Sequence, residues 1–251
     1  MAKKSEIAPQ AHRPRTLSLF PRKEASAITS SASNGCQPNA LSNSKPLSIA
    51  PEGHVHVLLI TTGSVASVKA PLIVGELFKY SNVKVQVAST NNSLTFFDRN
   101  QVTQHEGVQV WTDEDEWQAW SKIGDPILHI ELRRWADVVL IAPCDANTLS
   151  KIANGMCDNL VTSLLRALAP TTPTFVFPAM NTLMYEHPLT AVHLKTIEEV
   201  IGYKVIGPIG KGLACGDVGV GAMTEWRDIV TLVVDQFHLT KQVKQVESGS
   251  G

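Results

Sequence analysis

Four short apolar runs, each broken off by a cluster of small polar residues, constrain this chain more than any other feature. Residues 54–61 (HVHVLLIT), 83–89 (VKVQVAS), 136–142 (ADVVLIA) and 174–177 (TFVF) are rich in Val, Ile, Leu and Phe. Runs that short with β-branched residues read as strands, and their continuous apolar character marks strands buried on both faces. Helical spacing lies between them: residues 65–80, with Leu72, Ile73, Leu77 and Phe78 on one side, then residues 154–167, and residues 229–237 at the end. Val205 and Ile206 add a short apolar pair. Strands alternating with helices demand right-handed crossovers between parallel strands. The expected fold is therefore α/β, a three-layer sandwich around a parallel, Rossmann-like or flavodoxin-like sheet. In such sheets ligands bind beyond the carboxyl ends of the strands, so the loops there are where chemistry is sought.

Charge narrows the function classes. The 22 basic and 23 acidic side chains leave a net charge of −1, which argues against a nucleic-acid binder. No stretch approaches the ~18 consecutive apolar residues of a membrane span. Four cysteines (Cys36, Cys144, Cys157, Cys215), none in a CxxC pair, suit neither a disulfide scaffold nor a zinc site, and no metal site is expected. The expectation is a cytoplasmic protein. Residues 1–50 differ from the rest: Lys3, Lys4, Arg13, Arg15, Arg22, Lys23 and Lys45 face only Glu6 and Glu24, amid Ser, Ala, Pro and Asn. Such a segment buries too little surface to offset the entropy of ordering and is expected to be a disordered tail. The folded domain is expected over 53–240, with 241–251 frayed.

Four polar loops follow the four strands. Thr62, Gly63, Ser64, Val65, Ala66 and Ser67 offer a glycine, hydroxyls and helix N-terminal amides that suit a phosphate, or simply a capped turn. No GxGxxG occurs, so a Rossmann dinucleotide site is not supported. The second strand runs into Ser89-Thr90-Asn91-Asn92-Ser93, the third into Ala142-Pro143-Cys144-Asp145-Ala146-Asn147-Thr148, the fourth into Pro178-Ala179-Met180-Asn181. Walls of hydroxyls, amides and backbone donors suit a phosphorylated, hydrogen-bonding planar cofactor better than a metal. His129 lies in the alternating segment Leu128-His129-Ile130, and the acidic run from Asp113 to Glu116 reads as a solvated helix start with Trp117 and Trp120 packed beneath. Cys144 and Cys157 are expected to be structural, His187 and His193 surface residues.

The strings TGSVAS (62–67), HIELRRWAD (129–137), DANT (145–148), PAMNTLM (178–184) and LACGD (213–217) occur in that order. Together they resemble the phosphopantothenoylcysteine decarboxylases, members of the FMN-dependent homo-oligomeric cysteine decarboxylase family, over about residues 55–235. The resemblance implies FMN as cofactor, contacted by Gly63, Ser64, Val65, Thr90, Asn91, Asn92, Asp145, Ala146, Asn147, Thr148 and Ala179. It implies His129, Asn181 and Cys215 as catalytic residues, and Arg134, Asn181, Met184, Lys211 and Ala214 as substrate-binding ones. It also implies a homotrimer with the active site at a subunit interface. Tyr185 stands where the family commonly has tryptophan, Asp145 where some members have serine, and Gly212 where a basic residue is frequent, so the phosphate contact would shift to Lys211 or weaken.

The implied reaction removes CO₂ from 4′-phosphopantothenoylcysteine. Direct loss would leave an unstabilised carbanion, whereas oxidation of CH₂–SH to a thioaldehyde places an electron sink β to the carboxylate, and the enethiolate left after CO₂ loss is then reduced. An asparagine holds a carboxylate without adding a competing charge, a histidine exchanges protons near neutrality, and Cys215 would protonate the enethiolate carbon. Gly210 and Gly212 suit a flap that closes over substrate. The alternative implied by relatives is an inhibitory subunit of a Ser/Thr protein phosphatase, or one chain of a mixed trimer with a divided active site. His129, Asn181 and Cys215 together in one chain favour the enzyme.

Overall fold

A computed structural model describes residues 53–212 and 218–242. The expected tail (1–52), the segment 213–217 with Ala214 and Cys215, and the chain beyond 242 lie outside the described residues. The first apolar run is strand β1 (Val55–Thr61), which passes through a 3-10 turn (Val65–Lys69) into α1 (Ala70–Leu77) and returns as β2 (Val83–Ser89). A second turn (Asn91–Thr95), α2 (Arg99–Thr103) and the two-residue β3 (Val110–Trp111) follow. Helices α3 (Asp113–Ala119) and α4 (Leu128–Trp135) lead to β4 (Val138–Cys144), and α5 (Ala146–Ala153) and α6 (Leu160–Ala167) to β5 (Thr174–Pro178). Then come α7 (Thr182–Glu186), α8 (Pro188–Lys195), a π-helical turn (Thr196–Ile201) and β6 (Lys204–Val205). An antiparallel hairpin, β7 (Ile209–Gly212) and β8 (Val218–Ala222), precedes α9 (Trp226–Phe237).

Strands β1 to β6 form one parallel sheet in the order β3-β2-β1-β4-β5-β6, with Leu59 paired to Val87 on one side and Leu140 on the other. Successive side chains feed opposite faces. Val55, Val57 and Leu59 enter a core with Ile73, Val74 and Leu77 of α1 and Ile229 and Val233 of α9. Leu58 and Ile60 enter a second core with Leu128 and Leu132 of α4, Leu149 of α5 and Leu160 and Leu164 of α6. Two cores on two faces are the three layers, and they explain why the strands show no polar alternation. Each fully buried aliphatic side chain contributes about 1.5–3 kcal/mol of transfer free energy.

Local departures from the sequence reading have local causes. Residues 65–80 are not one helix: the 3-10 turn yields to α1 at Ala70, where Pro71 occupies a first-turn position suited to its fixed φ. Leu72 faces solvent while Ile73 and Leu77 are buried. The helix expected from residue 154 starts at Leu160, because Asn159 caps it by accepting from Thr162 N at 2.8 Å. Of the residues read as a polar loop after the third strand, Pro143 and Cys144 continue β4, Asp145 caps α5, and Ala146, Asn147 and Thr148 form its first turn. Pairing also persists past residue 240: Gln242 N donates to Lys79 O at 2.8 Å.

Candidate functional site

The strand order reverses between β1 and β4, and in sheets of this kind the place beyond the carboxyl ends of those strands is where a ligand crevice lies. Thr62, buried at the end of β1, ties the two loops together: its Oγ1 donates to Pro143 O at 2.8 Å and accepts from Asp145 N at 2.8 Å. Next to it, a Cβ built on Gly63 would stand 3.0 Å from Asp145 Oδ2 and 3.2 Å from Asn92 Cβ. The loops after β1, β2 and β4 therefore converge on Gly63, where an added Cβ would press on the side chains of both Asp145 and Asn92. Asp145 faces Gly63 with Oδ2 while Oδ1 accepts from Thr148 N at 2.9 Å, capping α5. Ser64 caps the 3-10 turn, accepting from Ala66 N at 3.4 Å, and Val65 is exposed. Thr148 is buried, Ala146 half-buried and Asn147 exposed.

The loop after β2 is built on hydroxyls. Thr61 Oγ1 lies 2.8 Å from Ser89 Oγ and 2.9 Å from Ser93 Oγ, and Ser93 Oγ donates to Thr90 O at 2.8 Å. These bonds hold the loop against the end of β1 and leave Asn91 and Asn92 exposed at its tip. Thr90 Oγ1 is buried yet has no partner among the described residues. A buried unsatisfied hydroxyl in an otherwise paired loop is open to a bond from a ligand or an ordered water.

The loop after β5 is fixed from both sides. Ala179 N donates to Cys144 O at 3.0 Å, and Met180 N donates to Gly221 O of β8 at 2.9 Å. Asn181 caps α7 by accepting from Leu183 N at 2.9 Å, and Met184 is half exposed on that helix. The hairpin lies so close that a Cβ on Gly219 would meet Thr182 Oγ1 at 2.5 Å and one on Gly221 would meet Met180 O at 2.3 Å. Lys211 falls on β7 of this hairpin.

His129 lies in the first turn of α4, not in an alternating strand. Its partner is Glu116 of α3: Nδ1 stands 2.6 Å from Glu116 Oε1, and the His129 backbone N–H donates to Glu116 Oε2 at 3.0 Å. The acidic run is therefore more than a solvated helix start. Asp113 accepts from Leu160 N at 2.7 Å and ties α3 to the start of α6, while Asp115 accepts from Thr112 N at 2.8 Å and closes a capping box. Trp117 and Trp120 are not packed beneath the helix but exposed, Trp117 by 78%, and Ile123 beyond them is 95% exposed. Between the helices, Asp125 Oδ2 accepts from Ser121 N, Ser121 Oγ and Lys122 N at 2.9, 2.6 and 2.9 Å, and the Ser121 bonds hold its carboxyl below the ordinary value. Arg134 is exposed and pairs with Glu131 at 3.3 Å. The sequence reading places Thr62 in the first polar loop and Glu116 in the acidic run but gives neither its partner, since each acts on a residue farther along the chain.

Cys144 is buried; desolvation, reinforced by the neighbouring Asp145 charge, pushes its thiol well above the usual value and keeps it protonated. Cys157 is exposed, and His187 caps α8 by accepting from Leu189 N at 3.2 Å. A cleft of about 150 Å³ lies elsewhere, among Ile152, Met156, Leu165, Arg166 and Tyr203, and holds none of the expected site residues.

The pattern of the Flavoprotein family matches residues 42–238. Over 169 residues the chain is 53% identical to a phosphopantothenoylcysteine decarboxylase of Arabidopsis thaliana, covering 67% of this chain and 78% of that protein. It is 48% identical over 188 residues to a probable thymidylate synthase of Schizosaccharomyces pombe, a match that takes 74% of this chain but spans only 30% of that longer protein. Among solved structures, a mutant PPC decarboxylase complexed with pantothenoylaminoethenethiol superposes with a TM-score of 0.69 at 48% identity, covering 74% of this chain and 99% of that one. The FMN binding protein AtHal3 superposes with a TM-score of 0.67 at 49% identity, covering 73% and 97%.

Proposed function

The chain belongs to the Flavoprotein family, and from that premise we propose that it is an FMN-dependent phosphopantothenoylcysteine decarboxylase, converting 4′-phosphopantothenoylcysteine to 4′-phosphopantetheine in coenzyme A biosynthesis. The observation that carries this reading is the crevice at the strand-order reversal, where three loops meet at Gly63. The residues present fit FMN. The crevice walls are hydroxyls and amides, Gly63 leaves its backbone bare, and the Thr90 hydroxyl is buried without a partner among the described residues. Gly63, Ser64, Val65, Thr90, Asn91, Asn92, Asp145, Ala146 and Asn147 would hold the cofactor, backed by the buried Thr148 and Ala179. Bound there, FMN supplies reversible two-electron exchange, so that a reaction with no net redox change can pass through an oxidised substrate.

The chain's own residues do the rest in this reading. Asn181, with Oδ1 anchored on the Leu183 amide, holds the substrate carboxylate by donation from Nδ2 without introducing a charge. His129 exchanges a proton with the substrate, and Cys215 delivers one to the carbon that has lost CO₂. Met184 and Ala214 flank the substrate, and Arg134 and Lys211 meet its anionic groups. The active form is a homotrimer. Exposed Trp117, Trp120, Ile123 and Ile127, from the end of α3 to the start of α4, support an interface on the side that carries His129. The proposed compartment is the cytoplasm, in keeping with scattered cysteines that form no CxxC pair.

The test is mass spectrometry of 4′-phosphopantothenoylcysteine incubated with the purified full chain, alongside the visible spectrum of the protein. Loss of one CO₂ by a yellow protein is the expected result. A folded, flavin-loaded chain that leaves the substrate intact would refute the assignment and turn attention to a regulatory role on a protein phosphatase or to a mixed trimer.

A further inference from the structure

We propose that Glu116 is a positioning residue for His129, holding the neutral imidazole in the tautomer with its proton on Nδ1 so that Nε2 is the nitrogen that accepts a proton. The carboxylate grips the same residue twice, with Oε1 at 2.6 Å from Nδ1 and Oε2 at 3.0 Å from the backbone nitrogen. An ionised carboxylate only accepts hydrogen bonds, so Nδ1 must be the donor and the neutral ring's lone pair is on Nε2. The pair is sheltered: the Glu116 side chain is 10% exposed and that of His129 24%. Both lie on helices rather than loops, and the connection between those helices is pinned by the three hydrogen bonds to Asp125. The backbone contact fixes where the ring starts and the Nδ1 contact fixes how it is turned. Orienting a proton-exchanging histidine by a second carboxylate is a recurring device in acid–base sites.

The kinetic arm of the test rests on the decarboxylase reading; the spectroscopic arm does not. Nitrogen-15 NMR of the ring in the holoprotein, with the His129 signal assigned by its loss in His129→Asn, should show the proton on Nδ1. Glu116→Gln separates positioning from mere support. Its carbonyl oxygen still accepts from the backbone N–H, but its amide presents a donor to Nδ1 and drives the ring proton to Nε2. The expected result is a folded, yellow variant with the switched tautomer, kcat lower by about 10²-fold and KM within about twofold. A wild-type signal with the proton on Nε2, or a Gln variant with unchanged kcat, overturns the proposal. Should the wild-type chain fail to decarboxylate, the function assignment falls while the tautomer measurement still decides the role of Glu116.

Discussion

Replacing Gly221 by alanine tests how tightly the β7–β8 hairpin is keyed to the loop that carries Asn181. Gly221 has φ +149°, a conformation L side chains rarely adopt, and its new Cβ would lie 2.3 Å from Met180 O, about 1 Å short of ordinary contact. The hairpin or the loop must move, and the 2.9 Å bond from Met180 N to Gly221 O goes with it. Backbone strain of about 1–3 kcal/mol and a lost hydrogen bond of about 0.5–1.5 kcal/mol give about 1.5–4.5 kcal/mol in all. For a chain of this size that lowers Tm by about 3–18 °C. Gly210→Ala is the control on the facing strand, because nothing among the described residues lies within 4 Å of its Cβ, and its effect should stay within about 0.5 kcal/mol. Thermal unfolding of the flavin-loaded proteins, paired with decarboxylation rates, reads both outcomes. Melting of Gly221→Ala within about 2 °C of the parent at full activity would refute the argument that these glycines are steric keys.

Three further outcomes are expected. Thr62→Val removes both 2.8 Å bonds that tie the β1 and β4 loops and should cost about 2–4 kcal/mol in urea unfolding; a loss below about 1 kcal/mol would contradict the accounting. Thr90→Val deletes a hydroxyl with no partner among the described residues, so apoprotein stability should hold within about 0.5 kcal/mol while FMN affinity falls about 2- to 13-fold; unchanged affinity would take Thr90 out of the cofactor site. Burial pushes the Tyr203 phenol from 10.0 up to about 12. The fold favours the neutral phenol, so its stabilising contribution is complete below pH 10 and disappears as the pH rises towards 12. Alkaline difference spectroscopy should show one late phenolate that Tyr203→Phe abolishes.

Much of the architecture was legible in the chain because burial on two faces leaves a local signature. Strands β1, β2, β4 and β5 are continuous apolar runs, and the polar residues at their ends sit where strands of an α/β sheet must turn, so Gly63, Thr90, Asp145 and Asn181 stood out before any contact was known. Short elements lacked that signature: β3 and β6 have two residues each, too few for a period. The Trp117–Trp120 spacing reads as a buried helix face, yet both side chains are exposed. The acidic run looked like a solvated surface because its partners, Leu160 for Asp113 and His129 for Glu116, lie 47 and 13 residues away. By itself, then, the sequence determined the layers, the buried strands and the loops at their carboxyl ends, since periodicity is imposed by the nearest covering element. Only the tertiary structure decided that Thr62 joins two loops and that Glu116 turns His129, because a hydrogen bond between distant residues depends on the path of the chain and leaves no local pattern.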